Sequence, residues 1–390
     1  MNSKNVLVIA GEASGDLHGA SLVRELKKLD SSLKIFGIGG DKMKAEGMEL
    51  IYHIDKMAFL GFVEVIKHLP FIKKVQHDII DEVKARNVKE VVLIDYPGFN
   101  LSIAKKLKDL KSSEAEKFDV DLIYYITPQV WAWGKGRVNK IRELFKKVLV
   151  VFPFEDKFFR SKNVNVEFVG HPLIQEINRY DFKLRNQLDK KFDLDPAKEM
   201  LLMLPGSRKQ EVKSIFPEAI KASIKLANDL NMQIVVACSS NLDEKVFYEL
   251  TDNKNFKVIK DYTYDLLKHS KFGIVKSGTS TLEAGLMELP IVIVYKTSWL
   301  TYAIGKSLVK IKNIGMANII LEEQVVPELI QNDANAENIY HTAKSILTNE
   351  DLMNQIKIKL RRIKEVLGEK NAPENAAKII YSILNEHKTS

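Results

Sequence analysis

Short apolar runs that break into Gly/Ser clusters and then open helix-like stretches constrain the fold of this chain more than any other feature. Val6 to Ala10 runs into Gly11-Glu12-Ala13-Ser14-Gly15-Asp16, Leu201 to Leu204 into Pro205-Gly206-Ser207-Arg208, and Phe272 to Val275 into Lys276-Ser277-Gly278-Thr279-Ser280-Thr281-Leu282-Glu283. Each junction is a place to hold an anion. A helix start carries unpaired N–H groups and the positive end of the helix dipole, and glycine leaves room for a phosphate to approach. Other apolar runs recur with helix-length segments between them: Leu33 to Ile38, Val91 to Ile94, Leu122 to Ile126, Val148 to Phe152 and Val166 to Val169, then Gln233 to Cys238, Phe256 to Ile259 and Ile291 to Tyr295. This is the pattern of buried parallel strands in an α/β protein. With one junction near the start and two in the second half, the expectation is two α/β halves facing one cleft.

At 390 residues and 45% hydrophobic, the chain is long enough for two cores. The expected division is a first domain over 1–175, a second over 176–350, and a helical segment over 351–390 that packs back on the first. The charged stretch Asn178 to Lys198 reads as a linker with a short helix of its own. No apolar run approaches the roughly 20 residues of a membrane span, and Val6 to Ala10 is too short for a signal peptide, so a cytoplasmic protein is expected. The single cysteine, Cys238, lies in an apolar run and reads as buried filler. A net charge of +8 favours nucleic acid, anionic lipid or a phosphorylated substrate. The lysines are scattered as pairs and no aromatic residues interleave with them, so no nucleic-acid partner is expected. Neither cysteine nor histidine spacing suggests a metal site.

Asp95 follows Val91-Val92-Leu93-Ile94 and so stands at the carboxyl end of a buried strand, where open α/β sheets bind ligands. The plainer alternative is a turn or N-cap carboxylate before Pro97-Gly98. Ser14 and Asp16 either cap the first helix or touch substrate. Gly11, Gly15 and Gly19 are spaced four apart, which is not the dinucleotide GxGxxG pattern. Trp131 and Trp133 flank an alanine in a Gly/Pro-bounded loop with Lys135 and Arg137, composition suited to a wall for a sugar or acyl chain. Arg208 offers a fork of donors for a diphosphate. Glu283 either reads ribose hydroxyls or forms a capping box with Ser280. Asp119-Val120-Asp121 and Asp193-Leu194-Asp195 read as solvated turns. His171 sits at the domain junction, and His18 packs or caps. The stretch Met57 to Ile72, with Phe59, Phe62 and Phe71 before Lys73-Lys74, is either a buried helix or a patch lying in a membrane interface.

Gly11 to Asp16, Ile94-Asp95-Tyr96-Pro97-Gly98-Phe99-Asn100, Pro128-Gln129-Val130-Trp131-Ala132-Trp133, Leu204 to Arg208 with Glu211-Val212, and Ser277 to Glu283 resemble the lipid-A-disaccharide synthases in identity and order. The resemblance runs from about residue 5 to about residue 385. It implies the GT-B fold of two Rossmann-like domains and an inverting glycosyltransferase joining UDP-2,3-diacylglucosamine to 2,3-diacylglucosamine 1-phosphate (lipid X), with no metal and no cofactor. The products are the β(1→6) disaccharide phosphate and UDP. Further implied are Asp95 as the base for the acceptor 6-hydroxyl, Ser207, Arg208 and the Ser277, Gly278, Thr279, Ser280 and Thr281 segment as the diphosphate site, and Glu283 on the ribose. Asn318, Glu328 and Gln331 match the late family motif around the nucleotide, while Ser14, Asp16, Trp131, Trp133, Phe59 and Phe62 fall on the acceptor and lipid side. Two departures stand out: Gly315-Met316-Ala317 before Asn318, and Lys276 before the Gly/Ser motif. The implied location is the inner face of the bacterial inner membrane, held peripherally, with homo-oligomer formation left open. The rival readings are another GT-B enzyme acting on UDP-N-acetylglucosamine, a UDP-sugar epimerase, or a non-catalytic membrane-associated UDP-sugar sensor.

Overall fold

The structure, a computed structural model, describes residues 5–57, 69–113, 119–128, 130–131, 136–297, 302 and 312–386. It divides into two compact units, 1–175 with 369–390 and 176–368. The first unit holds a parallel sheet in the order β3-β2-β1-β4-β5-β6-β7, made of β1 (Asn5–Ala10), β2 (Lys34–Gly39), β3 (Glu49–His53), β4 (Glu90–Ile94), β5 (Asp121–Tyr125), β6 (Lys147–Val150) and β7 (Val166–Phe168). Helices cover it, so β1 and β4 are buried along their whole length, and the core gathers Leu7, Ile9, Phe36, Leu93 and Tyr124. The strand order reverses between β1 and β4, where Ala10 pairs with Ile94.

The second unit repeats this plan with the order β10-β9-β8-β11-β12-β13: β8 (Glu199–Leu204), β9 (Met232–Cys238), β10 (Lys257–Lys260), β11 (Phe272–Lys276), β12 (Ile291–Tyr295) and β13 (Glu328–Ile330). Leu201, Met203, Val235, Phe272 and Val292 fill its interior. Its order reverses between β8 and β11, where Leu204 pairs with Val275.

Three expectations need correction here. The segment 351–390 does not act as one piece. Helix Glu350–Leu367 packs on Thr279–Leu286 and Met316–Leu321 within the second unit, and only 369–390 joins the first. There, helix Ala372–Glu386 lies on helix Ala13–Leu29, with Tyr381 Oη donating to Asp30 Oδ2 at 3.2 Å. The stretch Asn178 to Lys198 is no free linker either: Tyr180 Oη and the Lys183 N–H both donate to the buried Asp265 carboxylate, at 2.6 and 2.7 Å. Asp121 is not a solvated turn residue, because it opens β5 and pairs with Lys146 at 2.6 Å. Among the described residues no helix is long and apolar enough to cross a membrane.

Candidate active site

At the second unit's reversal point, the β8–β11 register sets Pro205–Arg208 beside Lys276–Ser280, where open sheets of this kind bind ligands. A pocket of about 540 Å³ opens there. Gly206 turns the chain with φ +127°, and a Cβ on it would lie 2.7 Å from Glu211 Oε2, so only glycine lets the loop pass this carboxylate. Arg208 caps helix Lys209–Leu230 and leaves its side chain 68% exposed, 3.8 Å from Glu211. Burial pushes the Glu211 carboxyl up, but Lys276, the Ser207 N–H and Arg208 outweigh it and hold the group below its ordinary value.

Of the residues expected around the diphosphate, Ser207, Arg208, Gly278, Thr279 and Ser280 line this pocket. Ser277 and Thr281 do not. The Ser277 N–H donates to the Val294 carbonyl at 3.0 Å and its hydroxyl to Ile314 at 2.9 Å. Thr281 is fully buried, its N–H donating to the Gly278 carbonyl and its hydroxyl accepting the Met316 N–H at 2.9 Å. Asn318, Glu328 and Gln331 also fall outside the wall, because backbone groups have claimed their polar atoms. Fully buried Asn318 donates to Val326 O and Glu328 Oε1 and accepts from the N–H groups of Val325 and Val326. Glu328 accepts the Ile314 and Gly315 N–H groups, each at 2.9 Å, and Gln331 bonds both backbone groups of Thr297. These five residues brace the loops behind the pocket.

Glu283 is in the wall, with Glu176, Tyr180, Tyr264 and Asp261, which sequence reasoning missed. Asp261 alone had a legible signal, its place just after β10. Helix Thr279–Leu286 is capped at Gly278, so Glu283 lies beyond the third helical position that a capping box needs. Burial first, then the neighbouring Glu176, pushes its carboxyl up to about 7 against the pull of Ser280.

At the first unit's reversal point, Asp95 and Tyr96 follow one another in the left-handed region, with φ +45° and +46°. Strain of this kind costs on the order of 1–3 kcal/mol per residue and persists only where neighbours enforce it. Asn100 Nδ2 donates to the carbonyls of Ile94 and Asp95, at 3.1 and 2.7 Å, and Tyr124 Oη donates to Asp95 O at 3.0 Å. A Cβ on Gly11 would lie 2.2 Å from the Tyr96 ring, so the first Gly-rich junction is shaped to this turn. Asp95 is not the N-cap, since helix Pro97–Ser113 leaves that position to Tyr96. Its partly exposed carboxyl is pushed up to about 6 by burial and then by the charge of Glu12, with the Tyr96 N–H opposing.

Asp16 does not cap its own helix, whose N-cap position is Glu12. Its buried carboxylate accepts the N–H groups of Gly40, Lys42 and Met43, at 2.7, 3.1 and 3.1 Å, and so caps the next helix, Asp41–Ala45. Ser14 is exposed near the start of its helix. Trp131 Nε1 donates to Glu155 Oε1 at 3.1 Å, and its ring stands edge-on to Phe154. Trp133, Phe59 and Phe62 lie outside the described residues. Phe71 is partly buried and packs against the core, edge-on to Tyr52 with ring centroids 6.0 Å apart. His171 and His18 are depressed by burial, to about 3 and about 4, and so stay neutral at physiological pH.

A sequence model of the family described as Lipid-A-disaccharide synthetase matches residues 6–380. The chain belongs to this family. The lipid-A-disaccharide synthase of Geobacter metallireducens is 37% identical, with 99% of each chain covered, and that of Coxiella burnetii (strain CbuG_Q212) is 36% identical over 98% of this chain and all of its relative. Among solved structures, the calicheamicin glycosyltransferase CalG4 aligns with a TM-score of 0.61 at 15% identity over 99% of each chain. A UDP-GlcNAc 2-epimerase from Neisseria meningitidis, bound to UDP-GlcNAc, aligns at 0.64 and 13% identity over 98% of this chain and all of that one. These two show the fold, which is GT-B. Family membership makes the chain a glycosyltransferase of the lipid-A-disaccharide synthase type.

Proposed function

We propose that the chain transfers the sugar of UDP-2,3-diacylglucosamine to the 6-hydroxyl of 2,3-diacylglucosamine 1-phosphate, giving the β(1→6) disaccharide phosphate and UDP. The observation that carries this reading is the second unit's pocket, where two helix starts and a cationic side supply what a diphosphate needs and Glu283 stands ready for sugar hydroxyls. In an inverting displacement the acceptor oxygen attacks one face of the anomeric carbon while UDP leaves from the other. Asp95 takes the acceptor proton, and a carboxyl lifted to about 6 is a stronger base than an ordinary aspartate yet still ionised at neutral pH. Arg208, with the helix start that it caps and the one at Gly278 to Ser280, takes the charge of the leaving group, so the reading needs no metal. Acylated substrates place the protein peripherally at the inner face of the inner membrane. Incubating the pure protein with the two lipids in EDTA should yield the disaccharide phosphate and UDP by mass spectrometry. Absence of product, or product only after magnesium is added, would overturn the reading.

A further inference from the structure

The ion pair between Lys276 and Glu211 is a feature of the pocket that this reaction scheme leaves unused. Lys276 ends β11 and Glu211 lies in the first turn of helix Lys209–Leu230, with Nζ 3.0 Å from Oε1. Both line the pocket, and their side chains are only 22% and 19% exposed. The other carboxylate oxygen, Oε2, accepts the Ser207 N–H at 3.2 Å. The carboxylate thus gathers the N–H of the residue just before the helix cap and an ammonium, both of them donors that an anionic ligand would seek there. Lys276 also borders the second helix start: a Cβ placed on Gly278 would have Nζ 3.7 Å away and no other atom within 4 Å. The ammonium therefore stands between a carboxylate on one side and open space before Gly278 on the other. Arg208, the other cation of this wall, is much more exposed.

We propose that Lys276 is the cation that receives the donor diphosphate, and that Glu211 is its resident counter-ion, which positions it until the diphosphate arrives. The proposal rests on reading the pocket as a UDP-sugar site. As the acceptor oxygen bonds to the anomeric carbon and gives its proton to Asp95, the bond from that carbon to the β-phosphate oxygen breaks and its electron pair goes to UDP. Charge grows on the diphosphate at that moment, so an ammonium already at hand stabilises the transition state more than the ground state. The flexible lysine stem lets Nζ turn from carboxylate to phosphate, while Glu211 keeps the Ser207 N–H and the nearby Arg208.

The test compares wild type, Lys276→Met, Glu211→Gln and the double variant by calorimetric binding of UDP and of uridine, with turnover at saturating donor. Lys276→Met should weaken UDP binding about 10- to 100-fold, the scale of one charge-assisted hydrogen bond, and slow turnover, while uridine binds as before. Glu211→Gln, which frees the ammonium, should bind UDP at least as tightly as wild type. The double variant decides the case. It carries no unpaired carboxylate to disturb folding or repel the ligand, so its reference is Glu211→Gln, and if Lys276 meets the diphosphate it binds UDP about 10- to 100-fold more weakly than that variant. A double variant that binds UDP as tightly as Glu211→Gln would show that the pair merely braces the loop and would overturn the proposal. Undiminished UDP affinity in Lys276→Met would do the same while leaving the UDP-sugar reading intact, whereas wild type that fails to bind UDP would defeat both.

Discussion

Glu12 and Asp95 both follow the paired ends of β1 and β4, and the charge of Glu12 adds to burial in lifting the Asp95 carboxyl to about 6. A base must be ionised to act, so with Asp95 in that role turnover should rise with pH through about 6. Glu12→Gln removes one cause of the shift and should move this acidic limb to lower pH. Asp95→Asn should cut turnover by roughly 10²- to 10⁴-fold with UDP affinity unchanged. The stability sign is the opposite of a loss: a carboxyl raised above its unfolded value favours folding when protonated, and that contribution is lost as pH rises from about 4 through about 6. Asp95→Asn should therefore melt at or above the wild-type temperature at pH 7.5. A variant that melts lower while keeping more than about a tenth of wild-type turnover would mark Asp95 as a turn residue.

Asp16 offers a contrast, since all its bonds are internal. Asp16→Ala strands the N–H groups of Gly40, Lys42 and Met43 and should cost about 1–3 kcal/mol of stability. Thermal melts should show the loss, with turnover at a permissive temperature near wild type. A turnover defect without a drop in Tm would return Asp16 to the substrate.

How far the sequence reaches depends on whether a signal is local. Each strand expected from an apolar run is present, and the central ones are buried on both faces, where a parallel strand is largely apolar. The two that went unseen, β3 and β13, are partly buried edge strands, as are β7 and β10, and their apolar runs are short: Leu50-Ile51-Tyr52 and Leu329-Ile330. At the candidate site, positions at or just past strand ends were legible from the apolar runs alone: Asp95 follows β4, and Ser207, three residues past β8, lines the second unit's pocket. Thr281, Asn318 and Glu328, singled out by motif alone, stand outside the pocket wall with backbone groups bound to their side chains, an arrangement that no local sequence signal distinguishes from a ligand contact. Glu176 and Tyr264 carry no local signal, since they reach the pocket from helices after a connection.

Glu155 is buried, holds Trp131 through Oε1, and has no hydrogen-bond partner for Oε2 among the described residues. Burial pushes it up to about 8 despite the Trp131 N–H and backbone N–H groups that oppose the shift. Its stabilising contribution is complete below the ordinary glutamate range and is lost as pH rises through about 8. Glu155→Gln keeps an acceptor for the indole and removes the titration. The wild-type Tm minus that of Glu155→Gln should fall between about pH 5 and pH 8 and then level off. A difference that stays constant across this range would show that the carboxyl does not titrate there.

Glu283 turns the acidity of the pocket into a binding test. Lifted to about 7 by burial and by Glu176, it is largely protonated in mildly acidic solution and ionised above neutrality. Tyr264 also lines this wall, and its hydroxyl is raised by burial and by the charges of Glu283 and Glu176, so it stays neutral throughout. Ionised Glu283 would add negative charge to a pocket that must accept a diphosphate, and a bound diphosphate would lift the carboxyl further. UDP affinity should therefore decline as pH rises through about 7 in wild type more than in Glu283→Gln, which holds its amide neutral at every pH. The titration of UDP itself is common to both proteins and cancels in the comparison. Calorimetry from pH 5.5 to 8.5 checks it. A wild-type affinity that instead strengthens with pH relative to the glutamine variant would mean that the ribose hydroxyls bind the ionised carboxylate and that its attraction outweighs the repulsion from the diphosphate.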